Sequence, residues 1–321
     1  MLPDRVQPRT IKTSRGEFAA LEAMPDRGVC ERRPALLLPG YTGSKEDFLP
    51  VLPPLAAAGR RVIAIDQRGQ YESEPSAEPG DYRPDALAAD VLAVARPVAD
   101  DDAGVHLLGH SFGGLVARQA VLAGAAAPLS LTLLGSGPGR LPGPRAARLR
   151  AMLELLGAAD PARRDPGQLD PQRLAAGIRQ LWDERLGPEA AAEGVPPHIL
   201  AFLRRRTLRN SPVGMVMMAR YLLAWPDRTA ELASRDELRI LVIFGELDDA
   251  WPTPVQAAMA RRLRAQRACI PGAAHSPAVE APATTASLLT GFWNEAERDA
   301  RPRRRAAGGT AGRPGQPPGR E

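Results

Sequence analysis

The stretch Val105-His-Leu-Leu-Gly-His-Ser-Phe-Gly-Gly-Leu115 decides the fold of this chain. An apolar run, Val105–Leu108, leads into Gly109-His-Ser-Phe-Gly113, and a helical pattern follows over residues 112–124. This order predicts a strand, a sharp turn and a helix, with Ser111 exposed at the turn and glycines relieving the crowded backbone. The pattern G-x-S-x-G is weak alone, and the flanking strand and helix give it weight. We therefore predict that Ser111 is a nucleophile; a serine that only caps a helix is the alternative.

Five more short apolar runs share the character of the run before Ser111. Each is four to six residues long and nearly continuous in apolar side chains, which is typical of strands covered on both faces. Helical patterns separate them, so the chain predicts an α/β fold with a mostly parallel central sheet and helices on both faces. Residues 10–21 are predicted to form an antiparallel hairpin before them. The five runs are Ala35–Leu38, Arg61–Ile65, Leu129–Leu134, Ile240–Phe244 and Arg267–Ile270.

The alternation of strands and helices stops for about a hundred residues in the middle of the chain. Residues 136–238 contain helical patterns joined by prolines and no strand-like run, which predicts a helical cap inserted into the α/β core. The core then comprises residues 1–135 and 239–299. Residues 300–321 are rich in Arg, Gly and Pro and are expected to be a disordered tail.

The charge is concentrated at one end of the chain. The formal net charge is +5, and residues 300–321 carry six arginines against the single acid Glu321, so the remainder sums to zero. A nucleic-acid-binding domain would carry its excess charge on a folded face, so no nucleic-acid partner is expected. The tail itself could contact an anionic surface, which is the minor interpretation.

The first residues, the length of the apolar runs and the cysteine content lead us to expect an ordinary cytoplasmic protein. The chain opens without an apolar signal-peptide core, and no apolar run is long enough to span a membrane. Cys30 and Cys269 form no disulfide framework or metal-binding pattern, and Cys269, in an apolar run, is expected to be buried. We expect no metal and no cofactor. The oligomeric state is left open.

A general base and its orienting acid are expected in loops that follow the last strands. His275 closes Pro271-Gly-Ala-Ala-His275, directly after the final apolar run, where catalytic groups are often found. The segment after Ile240–Phe244 offers Asp248 and Asp249, and a carboxylate beside the histidine would fix its tautomer. An Asp/Pro turn is the simpler interpretation of this segment, and spacing does not choose between the two aspartates.

These segments together resemble the α/β-hydrolase fold superfamily, in particular its cap-bearing bacterial hydrolases, over about residues 10–298. In that family the acid lies three residues after the glycine, which selects Asp248. The family implies an oxyanion hole made of the backbone N–H groups of Tyr41 and Phe112. The matching segments are Leu36-Leu-Leu-Pro-Gly-Tyr-Thr-Gly-Ser44, Asp66-Gln-Arg-Gly69, Gly109–Gly113, Gly245-Glu-Leu-Asp-Asp-Ala-Trp-Pro252 and Pro271–His275.

Two segments depart from the family pattern. Pro39-Gly40 stands where members usually have His-Gly, and proline lacks an N–H and fixes its own φ, so this loop is expected to differ in geometry. The donor at Tyr41 belongs to the following backbone and is compatible with that change. After Gly69 the chain continues as Gln70-Tyr-Glu-Ser in place of the usual small residues.

The resemblance implies a serine hydrolase that cleaves a small-molecule ester through an acyl-enzyme. The substrate is expected to be hydrophobic, in a pocket lined by His110, Trp251, Met215 and Met218, although methionine and tryptophan at helical spacing are more often core. Arg204-Arg-Arg206 is expected to be a solvated face, and recognition of an acidic substrate group is the minor interpretation. Alternatives on the same fold are C–C bond hydrolases, thioesterases, perhydrolases resembling haloperoxidases, aminopeptidases, acyltransferases, and a non-catalytic ligand-binding protein.

Overall fold

The computed structural model of the protein describes residues 2–25, 32–99, 104–124, 128–158 and 169–300. The strands are β1 (Val6–Thr13), β2 (Gly16–Ala23), β3 (Arg32–Leu38), β4 (Arg60–Ile65), β5 (His106–His110), β6 (Ser130–Leu134), β7 (Arg239–Gly245) and β8 (Gln266–Ile270). The α-helices are α1 (Leu52–Ala57), α2 (Pro84–Val98), α3 (Phe112–Leu122), α4 (Gly143–Leu155), α5 (Pro171–Leu181), α6 (Gly187–Ala192), α7 (Pro197–Arg209), α8 (Pro212–Ala224), α9 (Thr229–Ala233), α10 (Thr253–Arg262), α11 (Pro277–Glu280) and α12 (Pro282–Ala300).

Within the described ranges the strands form one eight-stranded sheet in the order β1-β2-β4-β3-β5-β6-β7-β8. β1 pairs antiparallel with β2, and β2 pairs antiparallel with β4. Every later pairing, from β3–β4 through β7–β8, is parallel. The predicted mostly parallel α/β sheet is therefore confirmed, and β5 lies at its middle.

Each side of the sheet has its own hydrophobic core because alternate strand residues point to opposite faces. Leu36 and Leu38 of β3 face the cluster that contains α2, α3 and α10. Ala35 and Leu37 of the same strand face the cluster that contains α1 and α12. Both faces of the parallel strands are thus covered by helices, which is why these strands read as continuous apolar runs.

β8 departs from that expectation because it is the last strand of the sheet. Of its five residues only Ile270 is buried, and Cys269 is exposed rather than buried as its apolar neighbours predicted. An edge strand has one unpaired side and a less covered face, so its side chains reach solvent.

Between β6 and β7 the elements that the structure describes are all helical, from α4 to α9, with a short π-helix at Trp182–Leu186 between α5 and α6. Their apolar side chains join the cluster on the α3 side of the sheet. The division into core and cap remains our interpretation of the chain. The predicted tail, residues 300–321, lies outside the described residues except for Ala300, and Cys30 also lies outside them.

Candidate active site

The turn between β5 and α3 holds Ser111 in a strained backbone conformation. Its φ is 53° and its ψ is −120°, a region that side-chain-bearing residues rarely adopt. Neighbouring glycines make the turn possible: a Cβ on Gly109 would lie 2.3 Å from the carbonyl oxygen of Gly113, and one on Gly113 would lie 2.4 Å from that of Pro39. The G-x-S-x-G spacing therefore reflects two close backbone approaches around one serine, which is buried but lines the cavity described below.

Ser111, His275 and Asp248 form one chain of hydrogen bonds. His275 Nε2 lies 2.9 Å from Ser111 Oγ, and His275 Nδ1 lies 3.0 Å from Asp248 Oδ1. All three residues are buried, with exposed fractions of 6–8%. With Asp248 accepting from Nδ1–H, the histidine presents a free Nε2 to the serine hydroxyl, as removal of its proton requires.

The carboxylate of Asp248 is held by two further donors. Its Oδ1 accepts from the N–H of Ala250 at 2.9 Å, and its Oδ2 accepts from Gln256 Nε2 at 2.8 Å. Gln256 is fully buried and also donates to the carbonyl of Trp251. Our sequence reasoning missed Gln256, because its role depends on how α10 packs against the loop and no local motif marks it.

Asp249 has a different environment. It is an exposed side chain that pairs with Arg145 at 2.6 Å. Partial burial opposes its ionisation, but the hydrogen bond and charge of Arg145 outweigh that effect and lower the pKa of Asp249. Asp249 is therefore engaged with α4, while Asp248 faces His275.

His110, predicted to line the pocket, also supports the histidine loop. Its Nε2 lies 2.8 Å from the carbonyl oxygen of His275, so Nε2 carries the proton and donates. Burial, and the neighbouring His275, lower the pKa of His110 to about 4. It is therefore neutral at physiological pH, and adds no positive charge beside His275.

Both predicted oxyanion donors belong to backbone segments next to Ser111. Phe112 is the first residue of α3, and its N–H has no carbonyl one turn earlier to bind. Tyr41 follows Gly40, on which a Cβ would lie 3.1 Å from Ser111 Cβ, so this loop passes directly over the serine. The Tyr41 hydroxyl donates to the carbonyl of Met215 at 3.2 Å, and burial raises its pKa.

A cavity of about 590 Å³ opens above Ser111. Of the predicted pocket residues, His110 and Met215 line it. Trp251 and Met218 do not, which corrects the prediction: Met218 is buried in the core, and Trp251 turns its indole N–H to the carbonyl of Gly139 at 3.2 Å. Apolar side chains from the segment between β6 and β7 form much of the wall, among them Leu149, Met152, Ile178, Trp182, Leu203 and Met215.

The arginine run on α7 is not a uniformly solvated face. Arg204 does form an exposed pair with Asp183. Arg205, however, donates to the hydroxyl of Tyr71 at 3.0 Å, and Arg206 pairs with Asp47 at 2.5 Å. Two of the three arginines therefore fix α7 to loops of the sheet domain, a contact that the sequence did not reveal.

The sequence profile of the alpha/beta hydrolase family matches residues 35–288. The chain belongs to this family. The match includes the strand–turn–helix at Ser111 and both loops that carry Asp248 and His275.

The curated relatives of this hydrolase match over only part of their length. One, named as the carbamate hydrolase RutD of Variovorax paradoxus, is 38% identical over 34% of this chain and 40% of its own. A proline iminopeptidase of Clostridioides difficile is 33% identical over 27% of this chain and 29% of its own. The chain thus spans less than half the length of these relatives.

Solved structures share the fold over nearly the whole chain. An esterase from Thermogutta terrifontis has a TM-score of 0.64 at 23% identity, covering 90% of this chain and 99% of that one. An enol-lactonase from Burkholderia xenovorans LB400 has a TM-score of 0.65 at 19% identity, covering 89% and 100%. At this identity the likeness concerns the fold.

The described residues contain no group of three or more His, Cys, Asp or Glu side chains placed to hold a metal ion. None of the described helices combines the length and apolar character that crossing a membrane requires.

Proposed function

We propose that this hydrolase cleaves a small-molecule ester, with Ser111 as nucleophile, His275 as general base and Asp248 as the orienting acid. The observation that carries the proposal is the continuous hydrogen-bond chain from Ser111 Oγ through both ring nitrogens of His275 to Asp248, with spacings of 2.9 and 3.0 Å. The strained backbone of Ser111 and its position on the wall of a cavity support the same assignment.

The reaction follows from these positions in two acyl transfers. His275 takes the proton of Ser111 as its oxygen bonds to the substrate carbonyl carbon, and the alcohol then leaves with that proton. Water next gives a proton to His275 and its oxygen to the acyl carbon, which releases the acid and restores Ser111. The N–H groups of Tyr41 and Phe112 would stabilise each oxyanion, at about 3 kcal/mol per donor in the transition state.

The substrate of the proposal has an apolar part. Leucine, methionine and tryptophan side chains from the helices between β6 and β7 line the cavity, and we infer that these helices act as a cap over it. Burying an apolar chain against such a wall contributes about 0.8 kcal/mol per methylene. We therefore expect turnover to improve with acyl length until the cavity is filled.

A panel of p-nitrophenyl esters of increasing chain length tests the proposal. Wild type should hydrolyse them with a preferred length, and Ser111→Ala should lower kcat by at least a thousandfold with the fold retained. Equal turnover by wild type and Ser111→Ala would refute the assignment. A folded wild type that binds the esters without turnover would make the protein a ligand-binding member of the family.

A further inference from the structure

The cavity wall contains charged arginine side chains, with which a purely apolar substrate would form no ion pair. Among the residues that the structure describes, four arginines line the cavity, and three of them face carboxylates. The charge of each of those three is balanced by its own carboxylate partner. The three pairs are Arg145–Asp249 at 2.6 Å, Arg185–Glu189 at 2.9 Å and Arg206–Asp47 at 2.5 Å.

Arg148 is the exception among these four. Within the part of the chain that the structure describes, no carboxylate lies within ion-pair distance of its guanidinium. It is exposed to solvent and lines the cavity, so it stands at the mouth. On α4 it lies one turn beyond Arg145 and one turn before Met152, which places it above the apolar wall.

We propose that the substrate is amphiphilic, with an apolar body in the cavity and an anionic group at the mouth that pairs with Arg148. A guanidinium stays charged at any physiological pH and binds carboxylates or phosphates in bidentate geometry. Two acids of the described part of the chain line the cavity, Asp47 and Glu189, and both are paired, so they do not oppose an incoming anion. This proposal rests on the proposed ester hydrolysis, and names the class of substrate.

Two ester series with matched chain lengths test the role of Arg148. One is the p-nitrophenyl monoesters of dicarboxylic acids, which carry a terminal carboxylate, and the other is the neutral fatty acyl esters. Arg148→Gln should lower kcat/KM for the anionic series about three- to fivefold, as an exposed ion pair allows, and leave the neutral series unchanged. High salt should remove the difference between wild type and variant.

Arg150→Gln is the matched control, because Arg150 is exposed on the same helix and does not line the cavity. It should leave both series unchanged. Equal loss in Arg148→Gln and Arg150→Gln, or equal loss on both ester series, would overturn the proposal. Absence of turnover of either series by folded wild type would instead refute the ester hydrolysis itself.

A second inference concerns the loop that carries Tyr41, where both departures from the family pattern meet. Gln70 Nε2 donates to the carbonyl of Gly40 at 2.8 Å, and Gln67 Nε2 donates to that of Pro39 at 2.9 Å. The two glutamines are joined, since Gln70 Oε1 accepts from the N–H of Gln67 at 3.0 Å. Both are buried, with exposed fractions of 2–3%.

The hydrogen bond from Gln70 to the Gly40 carbonyl also affects the proposed oxyanion donor, the N–H of Tyr41, because both groups belong to one peptide unit. The carbonyl of Gly40 and the N–H of Tyr41 belong to the same planar, trans peptide unit, so they point in opposite directions. Gly43 N–H also donates to the Gly40 carbonyl, at 3.1 Å. Fixing this carbonyl from the side of Gln70 therefore fixes the direction of the Tyr41 N–H.

We infer that Gln70 is a positioning residue that aims the Tyr41 N–H at the reacting carbonyl oxygen, with Gln67 supporting it. Proline at position 39 has no N–H to donate. The side-chain amides of the two glutamines hold the loop through its carbonyl oxygens instead. The inference depends on the proposed catalysis, but it does not depend on the amphiphilic substrate.

Gln70→Met tests this role, since methionine matches the length of glutamine and has no N–H. We expect kcat to fall roughly tenfold with KM unchanged, a fraction of the loss on removing an oxyanion donor outright. Affinity for a boronic acid, which forms a tetrahedral adduct on the serine, should fall in parallel. Gln119→Met is the control and should change neither quantity, because Gln119 accepts from Arg228 and does not line the cavity.

An unchanged kcat in folded Gln70→Met, or a rise in KM alone, would overturn the inference. If Gln70→Met does not fold, Gln67→Met provides the same test through the Pro39 carbonyl, with a smaller loss of kcat in the same sense. Absence of any turnover by folded wild type would instead refute the proposed function, on which this positioning role depends.

Discussion

At the scale of single residues, the choice between two adjacent aspartates shows what spacing can and cannot decide. Both follow the same strand, and only the family pattern favoured Asp248. The fold turns Asp248 inward to His275 and leaves Asp249 with Arg145 at the surface. The side-chain direction at each position is set by the turn, which sequence spacing does not specify.

The first prediction compares these neighbours. Asp248→Asn should lower kcat by a factor of 10³ to 10⁴, because an amide in this position favours the wrong histidine tautomer. Asp249→Asn removes only an exposed ion pair and should change kcat less than twofold. Steady-state kinetics on the preferred ester decides this, and the reverse pattern would assign the acid to Asp249.

The catalytic candidates were predictable because each follows a strand in a short recognisable motif. The residues that support them were not. Gln256, Gln67 and Gln70 act through contacts between loops and helices far apart in the sequence, and Trp251 lies beside the site while packing away from the cavity. These positions depend on tertiary packing, for which the chain has no local signal.

At the scale of elements, the apolar runs located the core strands to within three residues, since strands buried on both faces leave an unmistakable pattern. The run Ala35–Leu38 became β3 with three more residues before it, and Leu129–Leu134 became β6 with one fewer. The prediction was wrong where β8 was taken as covered, because apolar character does not reveal which strand is at the edge.

The second prediction uses two glycines in helices. Gly113 of α3 lies so close to β3 that a Cβ would meet the carbonyls of Pro39 and Leu38 at 2.4 and 2.6 Å. Gly113→Ala should therefore displace α3 and destabilise the protein by about 1–3 kcal/mol, with loss of activity. Gly291→Ala in α12 should stabilise it by about 0.5–1 kcal/mol, since that Cβ meets no described atom within 4 Å.

Urea unfolding of both variants checks these signs. If both substitutions change the free energy of unfolding equally, helix propensity alone determines their effect, and the close contact at Gly113 does not contribute. If Gly113→Ala keeps full activity and stability, the prediction is wrong, because α3 can then move away from β3 at little cost in free energy.

At the scale of the whole molecule, α12 is tied to the sheet by a buried polar cluster below the site. Glu297 of α12 accepts from Arg60 at 2.6 Å and from His106 Nε2 at 3.2 Å. His106 Nδ1 in turn accepts from the hydroxyl of Ser130 at 2.7 Å, which requires the neutral tautomer with its proton on Nε2. The last helix thereby reaches β4, β5 and β6 at once.

The third prediction concerns acid stability. Burial, followed by the charge of Arg60, lowers the pKa of His106 from 6.5 to about 4. The unfolded chain therefore takes up this proton first, and the free energy of unfolding should fall between pH 6.5 and about 4, by on the order of 3 kcal/mol. His106→Gln keeps an N–H donor but does not titrate, so its stability should decline less over the same range.

A second step should follow at lower pH. Burial opposes ionisation of Glu297, but His106 and Arg60 outweigh it and lower its pKa from 4.5 to about 2. Stability from this carboxylate is therefore present above pH 4.5 and is lost as the pH falls towards about 2. Urea unfolding at several pH values tests both steps, and parallel declines in wild type and His106→Gln would contradict the role of His106.

The central claim is that Ser111 is an activated nucleophile, and labelling with a fluorophosphonate probe tests it most directly. Wild type should acquire one covalent phosphonate adduct, mapped by peptide mass spectrometry to the peptide that contains Ser111. Ser111→Ala should lose the adduct, and His275→Ala should label at least a hundredfold more slowly, because the hydroxyl is then not deprotonated. An adduct on another residue, or equal labelling of wild type and Ser111→Ala, would contradict the account.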